Sequence, residues 1–314
     1  MIAARGAAPA GRPQVRRGSS LLRVARSFTI VPRGPFSLER AAGFGFGPTT
    51  GAAPGDLMRL AFPVDDFAGH AGVVLHQDAA GVHAEVEGEG DLDAVRAQVA
   101  RTLSLDHDGE AWLEVGRRDP VVARLQAEYA GLRPVLFGSP YEAAAWSIVS
   151  ARRQTRQSAA VRRRLGEEHG RVFTLAGEEL AAFPLPAALL ELDAFRGLDG
   201  GKVERLHAVA RAALDGRLDP ERLRAMDPDA ALADLRTLPG IGPFYAGLIV
   251  VRALGLADVL PAGEPRVLAA AAHHYGLDAP PEPAAFAALA EPWRPFRTWA
   301  AVLLRVSGDR AGVA

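Results

Sequence analysis

The 314-residue sequence contains no cysteine. That excludes disulfides, thiolate-ligated zinc, iron–sulfur clusters and a cysteine nucleophile. No uncharged apolar run reaches the roughly 18 residues a membrane helix needs, and the first residues lack the apolar stretch of a signal peptide. Excess charge is missing too: 36 Lys and Arg stand against 37 Asp and Glu, so the chain is not a uniformly basic binder of polyanions. There is no His-Glu-x-x-His pair, no phosphate-binding P-loop and no Gly-x-Ser-x-Gly elbow. Metal catalysis and a serine nucleophile therefore have no support.

With 49% hydrophobic and 23% charged residues, the composition is that of a globular protein of about two domains. Its charge is unevenly spread. Residues 1–26 carry Arg5, Arg12, Arg16, Arg17, Arg23 and Arg26 without an acid, and read as a disordered basic arm. A second basic run, Arg152 to Arg171, holds only Glu167 and Glu168 as acids. It reads either as a local basic face or as solvated arginines in an Arg-rich composition.

Ordered structure is expected from Ser27. Short strands are read at 27–31, 57–62, 71–76 and 82–86, a helix start at Ser37, and a helix over 91–103 from Leu92, Val95, Val99 and Leu103. These make a small α+β domain with an antiparallel sheet over residues 27–118. Beyond about residue 105 strand signals fade. Ser139-Pro-Tyr-Glu142 is a capping box, and Asp119-Pro120, Asp219-Pro220 and Asp227-Pro228 are further helix starts. Residues 119–314 read as an all-helical core, with 276–292 as an Ala- and Pro-rich connector. The fold class is α+β.

Leu238-Pro-Gly-Ile-Gly-Pro243 is the most informative motif. Two glycines permit a tight turn, Ile241 pins the turn inward, and a helix opens at Pro243. Amides at a helix N-terminus suit a phosphate oxygen, with no base being read. This reads as a helix-hairpin-helix element rather than an ordinary connector.

The surrounding chain resembles the helix-hairpin-helix DNA glycosylase superfamily, in particular the alkylation-repair branch of DNA-3-methyladenine glycosylase II. Asp258-Val-Leu-Pro-Ala262, Trp293-Arg-Pro-Phe-Arg-Thr-Trp-Ala300 and Ser139-Pro-Tyr-Glu-Ala143 are similar to segments of that branch. The resemblance covers roughly residues 27–308. It implies a DNA N-glycosylase of base excision repair that flips a damaged base and cleaves its N-glycosidic bond. It implies Glu264 as the catalytic carboxylate, where the family carries Asp. Pro239, Gly240, Ile241 and Gly242, with Arg152 and Arg153, would contact DNA, Arg152 at the position that fills the gap left by the flipped nucleotide. Base-pocket candidates are Phe244, Tyr245, Trp146 and Trp299, with Trp293 a further one. Arg305 stands where relatives often place an aromatic residue, and a cation there opposes a cationic alkylated purine.

The implied partner is double-stranded DNA, bound by a monomer in the cytoplasm at the nucleoid. No cofactor is implied beyond a monovalent cation at the hairpin. The alternative is a non-catalytic, lesion-sensing DNA-binding protein on the same scaffold. Glu264 is the feature that separates the two readings, since an idle pocket need not stay acidic.

Overall fold

A computed structural model of the chain describes residues 26–44, 57–261 and 263–313. Apart from Arg26, the basic arm lies outside them. The first strands are β1 (Arg26–Ile30), β2 (Leu57–Pro63), β3 (His70–Asp78) and β4 (Gly81–Gly88), with helix α1 (Leu38–Ala42) between β1 and β2. They pair antiparallel in the order β1-β4-β3-β2. Helix α2 (Leu92–Thr102) covers one face, where Val95, Val99 and Leu103 pack on Leu60, Phe62, Val73 and Leu75. The alternation along the strands supplies this buried face, as the sequence predicts.

Helices follow: α3 (Gly109–Arg118), α4 (Pro120–Glu128), α5 (Pro140–Ser150) and α6 (Thr155–His169). A hairpin then intervenes, β5 (Arg171–Leu175) and β6 (Glu178–Ala182). This corrects the reading of an all-helical second part. Its turn, Ala176-Gly177, has φ of 45° and 82°, the doubly left-handed geometry that matches strand twist. Phe173, Leu175, Leu180 and Ala182 close over Ala61 and Val74, on the face of the sheet opposite α2. Gly72 makes room, since a Cβ there would lie 2.7 Å from the Phe173 ring.

The remaining helices are α7 (Pro186–Leu190), α8 (Gly200–Leu214), α9 (Pro220–Ala225), α10 (Pro228–Leu235), α11 (Pro243–Arg252), α12 (Pro265–Tyr275), α13 (Pro283–Leu289) and α14 (Arg297–Ala311). The central core joins α5 (Ala144, Ala145, Ile148, Val149), α6 (Val161, Leu165), α8 (Leu206, Val209) and α11 (Ile249, Val250). A separate cluster gathers α3 and α4 (Trp112, Val115, Leu125) with α12 to α14 (Val267, Phe286, Trp299, Leu303). The segment 276–292, expected to be a connector, contains α13, because Phe286 and the following Trp293 both have a core to enter.

The expected caps form at Asp119, Ser139, Asp219 and Asp227. Two do more than cap. Asp119, only 5% exposed, also accepts from the Tyr275 hydroxyl at 2.5 Å and from Trp293 Nε1 at 2.8 Å. At Ser139 only half of the capping box exists. Its hydroxyl accepts from the Glu142 amide at 3.1 Å. Glu142 is buried and turns to Arg162 of α6 instead, at 2.6 Å, because an ionised buried carboxylate needs a cation more than an amide.

Arg133, 1% exposed, ties both halves together. Its guanidinium donates to the carbonyls of Arg33, Gly34 and Pro35 and to those of Ser104 and His107, and lies over the Phe36 and Trp299 rings. Burial pushes it down to about 10, partly offset by Asp108 and Asp106, so it stays charged at neutral pH. Arg133→Met keeps the apolar length and strands five carbonyls. It should lower stability by about 3 kcal/mol or more, read from urea unfolding.

His70 makes a second tie, Nε2 donating to the Phe183 carbonyl at 3.0 Å. Burial lowers its imidazole below the ordinary value. The unfolded chain therefore binds a proton near pH 6.5 that the folded chain resists. Stability held by neutral His70 is complete above that pH and declines as acidification proceeds toward the depressed native value. Urea midpoints should fall between pH 7.5 and 5.5, and His70→Gln, which keeps a donor for Phe183, should flatten the fall.

Candidate nucleic-acid interface

The loop between α10 and α11 has its apolar side chains turned in. Leu238 and Ile241 are buried in the central core, and the Ile241 amide donates to the Leu238 carbonyl at 3.0 Å. Arg217 braces the approach, bonding Asp234 Oδ1 at 3.0 Å and Thr237 Oγ1 at 2.7 Å. Pro239, Gly240 and Gly242 are left exposed at the tip. Gly242 is the N-cap of α11 and offers no capping side chain. Pro243 has no N–H, so the amides of the next residues open the helix toward solvent, an arrangement suited to an anion.

The two glycines answer different needs. Gly240 has φ of 88°, and a Cβ there would sit 2.8 Å from Arg205 Cδ and 2.9 Å from Ile148 Cδ1. Gly242 has an ordinary φ of −85°, and a Cβ there would meet nothing within 4 Å. Gly240 is required by the fold. Gly242 is required only if something else comes close.

Arg152 and Arg153 lie in the short loop joining α5 to α6. Arg152 is exposed with φ of 55°, a left-handed conformation that costs a side-chain-bearing residue about 1–2 kcal/mol. The Arg153 amide donates to the Ser150 carbonyl at 3.1 Å. Lys202 of α8 reaches under this loop, its Nζ donating to the carbonyls of Val149 at 3.0 Å and Ala151 at 2.9 Å. Three residues further along α8, the stem of Arg205 packs against Gly240. One helix thus supports both the arginine loop and the hairpin. Neither Lys202 nor Arg205 carries any signal in the sequence, where each is one cation on an amphipathic helix. Burial lowers the Lys202 ammonium below its usual value, and the nearby charges of Arg153 and Arg205 add to that. The face is locally cationic.

Glu264 is the N-cap of α12. Its Oε2 accepts from the Val267 amide at 2.7 Å, and Oε1 has no partner among the described residues. The carboxylate is half-buried at the N-terminal end of α12. The pocket candidates divide. Phe244 is 66% exposed beside the hairpin and meets Tyr245 edge-on at 5.3 Å. Trp146 is half-buried against the central core. Trp299 corrects the expectation: it is 3% exposed and locked among Trp112, Phe296 and Arg133. Trp293, also proposed, is fully buried. Both are core residues: Trp299 of α14 faces Trp112 of α3, and Trp293, ahead of α14, packs on Phe286 and Tyr275. Arg305 on α14 has a buried Nε without a partner among the described residues, and Asp309 stands 3.8 Å from its terminal nitrogen. After burial, its charge is the influence that holds Arg252 down, to about 9.

Among the described residues no group of three His, Asp or Glu side chains is placed to hold a metal, and no helix is long and apolar enough to cross a membrane.

No family model matches the chain. It is 28% identical over 212 residues to a probable bifunctional transcriptional activator/DNA repair enzyme AlkA of Mycobacterium tuberculosis, over 67% of this chain and 42% of that protein. The chain thus spans less than half the length of that curated relative. A DNA-3-methyladenine glycosylase of Bacillus subtilis is 21% identical over 210 residues, 64% of this chain and 68% of its own. Among solved structures, a 3-methyladenine DNA-glycosylase from Archaeoglobus fulgidus has the same fold, with a TM-score of 0.73 at 19% identity over 92% of this chain and 99% of that one. A Clostridium acetobutylicum 8-oxoguanine glycosylase/lyase, in complex with double-stranded DNA, matches with a TM-score of 0.68 at 17% identity, over 89% and 94%. The chain has the fold of these DNA glycosylases.

The two hairpin glycines can be separated by experiment. Gly240→Leu should destabilise the fold by about 2 kcal/mol or more, since strain and overlap combine. Gly242→Leu should unfold at the parental urea midpoint yet bind duplex DNA about tenfold more weakly, whatever the sequence, because a side chain would occupy the phosphate position. Parental affinity in Gly242→Leu would remove the hairpin from the interface.

Proposed function

We propose that the protein is a DNA N-glycosylase of base excision repair, binding double-stranded DNA as a monomer, flipping a damaged base and hydrolysing its N-glycosidic bond. The observation that carries this reading is a half-buried carboxylate, Glu264, with one oxygen spent on its helix cap and the other available, in a fold shared with glycosylases. Cleaving the bond builds positive charge on the sugar. A carboxylate near C1′ stabilises that charge and orients or deprotonates a water. The hairpin amides and the arginines beside them would hold the phosphates, giving salt-sensitive binding. A repair role would put the protein at the nucleoid in the cytoplasm.

Relatives named for 3-methyladenine suggest an alkylated base. Arg305 opposes a base with a fixed positive charge, so a neutral lesion suits the charge better. The reaction needs no cofactor. A monovalent cation at the hairpin would have to use loop carbonyls, of which that of Leu238 already accepts from Ile241, and no step depends on it.

The second reading, a non-catalytic lesion sensor, draws on the same hydrogen bond: a carboxylate that caps its own helix has a structural reason to be there. The two separate on substitution. Glu264→Gln keeps an acceptor for the Val267 amide and removes the charge. It should bind DNA as the parent does and release base at least about 100-fold more slowly, measured as abasic sites formed on duplexes carrying alkylated and deaminated bases. Glu264→Asp keeps charge and cap and should retain or raise activity. A parent that releases no base across the panel establishes the sensor instead.

A further inference from the structure

Arg152 faces solvent in a conformation that arginine avoids, and nothing on its own side chain explains why the loop stays that way. The explanation lies beneath it. Lys202 is 8% exposed, and its ammonium gives two donors to the carbonyls of Val149 and Ala151. The Ala151 carbonyl belongs to the same peptide plane as the Arg152 amide. With that plane held on one side, and the next held by the Arg153 amide's bond to the Ser150 carbonyl, φ of Arg152 and the direction in which its side chain leaves the backbone are set. Lys202 itself is anchored, because its helix is capped by Asp199 at the Lys202 amide, and the same helix lays Arg205 against the hairpin.

A lysine that only terminated α5 could do so with a glycine following, as helix ends commonly do. Here an arginine occupies the left-handed position, and strain of this kind concentrates at functional sites. We infer that Lys202 is a positioning residue for DNA recognition, its buried bonds to the Val149 and Ala151 carbonyls presetting Arg152 to enter the gap in the base stack. The inference rests on the glycosylase reading of Arg152. Lys202 does not touch DNA in it.

The test uses the full chain and duplexes with or without a central abasic site. Lys202→Met keeps the stem and removes the donors. Its preference for abasic over intact duplex should fall to that of Arg152→Ala, by about tenfold if the preset geometry matters as orientation usually does. The double variant should lose no more than either single one, because both remove the same interaction. Trypsin should also cut the native protein after Arg152 faster in Lys202→Met. Losses that multiply in the double variant, or faster cutting with the parental preference intact, overturn the inference. If Lys202→Met does not fold, Lys202→Gln retains a donor for one carbonyl. It should show an intermediate preference, and a full parental preference would count against the proposal. Should the parent bind abasic and intact duplex equally, Arg152 has no such role and the inference falls, while base release by the parent would still uphold the glycosylase.

Discussion

A guanidinium shut away from water has to spend its N–H groups on protein oxygens. Arg133 does so on carbonyls from two separate stretches, 33–35 and 104–107. Its stacking on Trp299 reaches a third region, the C-terminal helix α14. Three parts of the chain far apart in sequence therefore share one cation. The edge of the sheet, the loop after α2 and the last helix keep their relation because none can leave without stranding a buried charge. Asp119 plays the corresponding part among the helices, joining the start of α4 to Tyr275 and Trp293. The molecule is held by polar groups placed inside it as much as by its apolar clusters.

The proposed interface depends on a related economy. Both candidate contacts lean on helix α8. Lys202 lies under the loop of Arg152, and Arg205 lies against Gly240. Gly240 lacks a side chain so that α8 and α5 can come close. Gly242 lacks one although the fold leaves room for it. The first is a packing requirement and the second points outward, toward a ligand.

In the proposed reaction Glu264 would serve stability and chemistry together. Capping the Val267 amide orients the carboxylate and sets it at the positive end of α12. Capping and catalysis are compatible because a carboxylate has two oxygens. In the proposed reaction Arg305 would add a cation where an aromatic residue would offer only a surface, and so favour a neutral base.

Local signals were legible in the sequence. Caps act within three or four residues, so Asp119, Ser139, Asp219 and Asp227 are legible directly. The hairpin at 238–243 was legible for the same reason, since its turn is specified by adjacent glycines and prolines. Other features needed the tertiary structure. The β5–β6 hairpin was missed although Gly177 follows an alternating run, because its buried face exists only once the sheet is present to receive it. Trp293 and Trp299 are compatible with either a stacking platform or a core, and only tertiary packing, of Trp299 on α3 and of Trp293 on Phe286 and Tyr275, makes them core. Glu142 completes a capping box in sequence, but burial redirected it to Arg162. Lys202 and Arg205 owe their places to the path of α8 across two distant loops, a relation that no local pattern encodes.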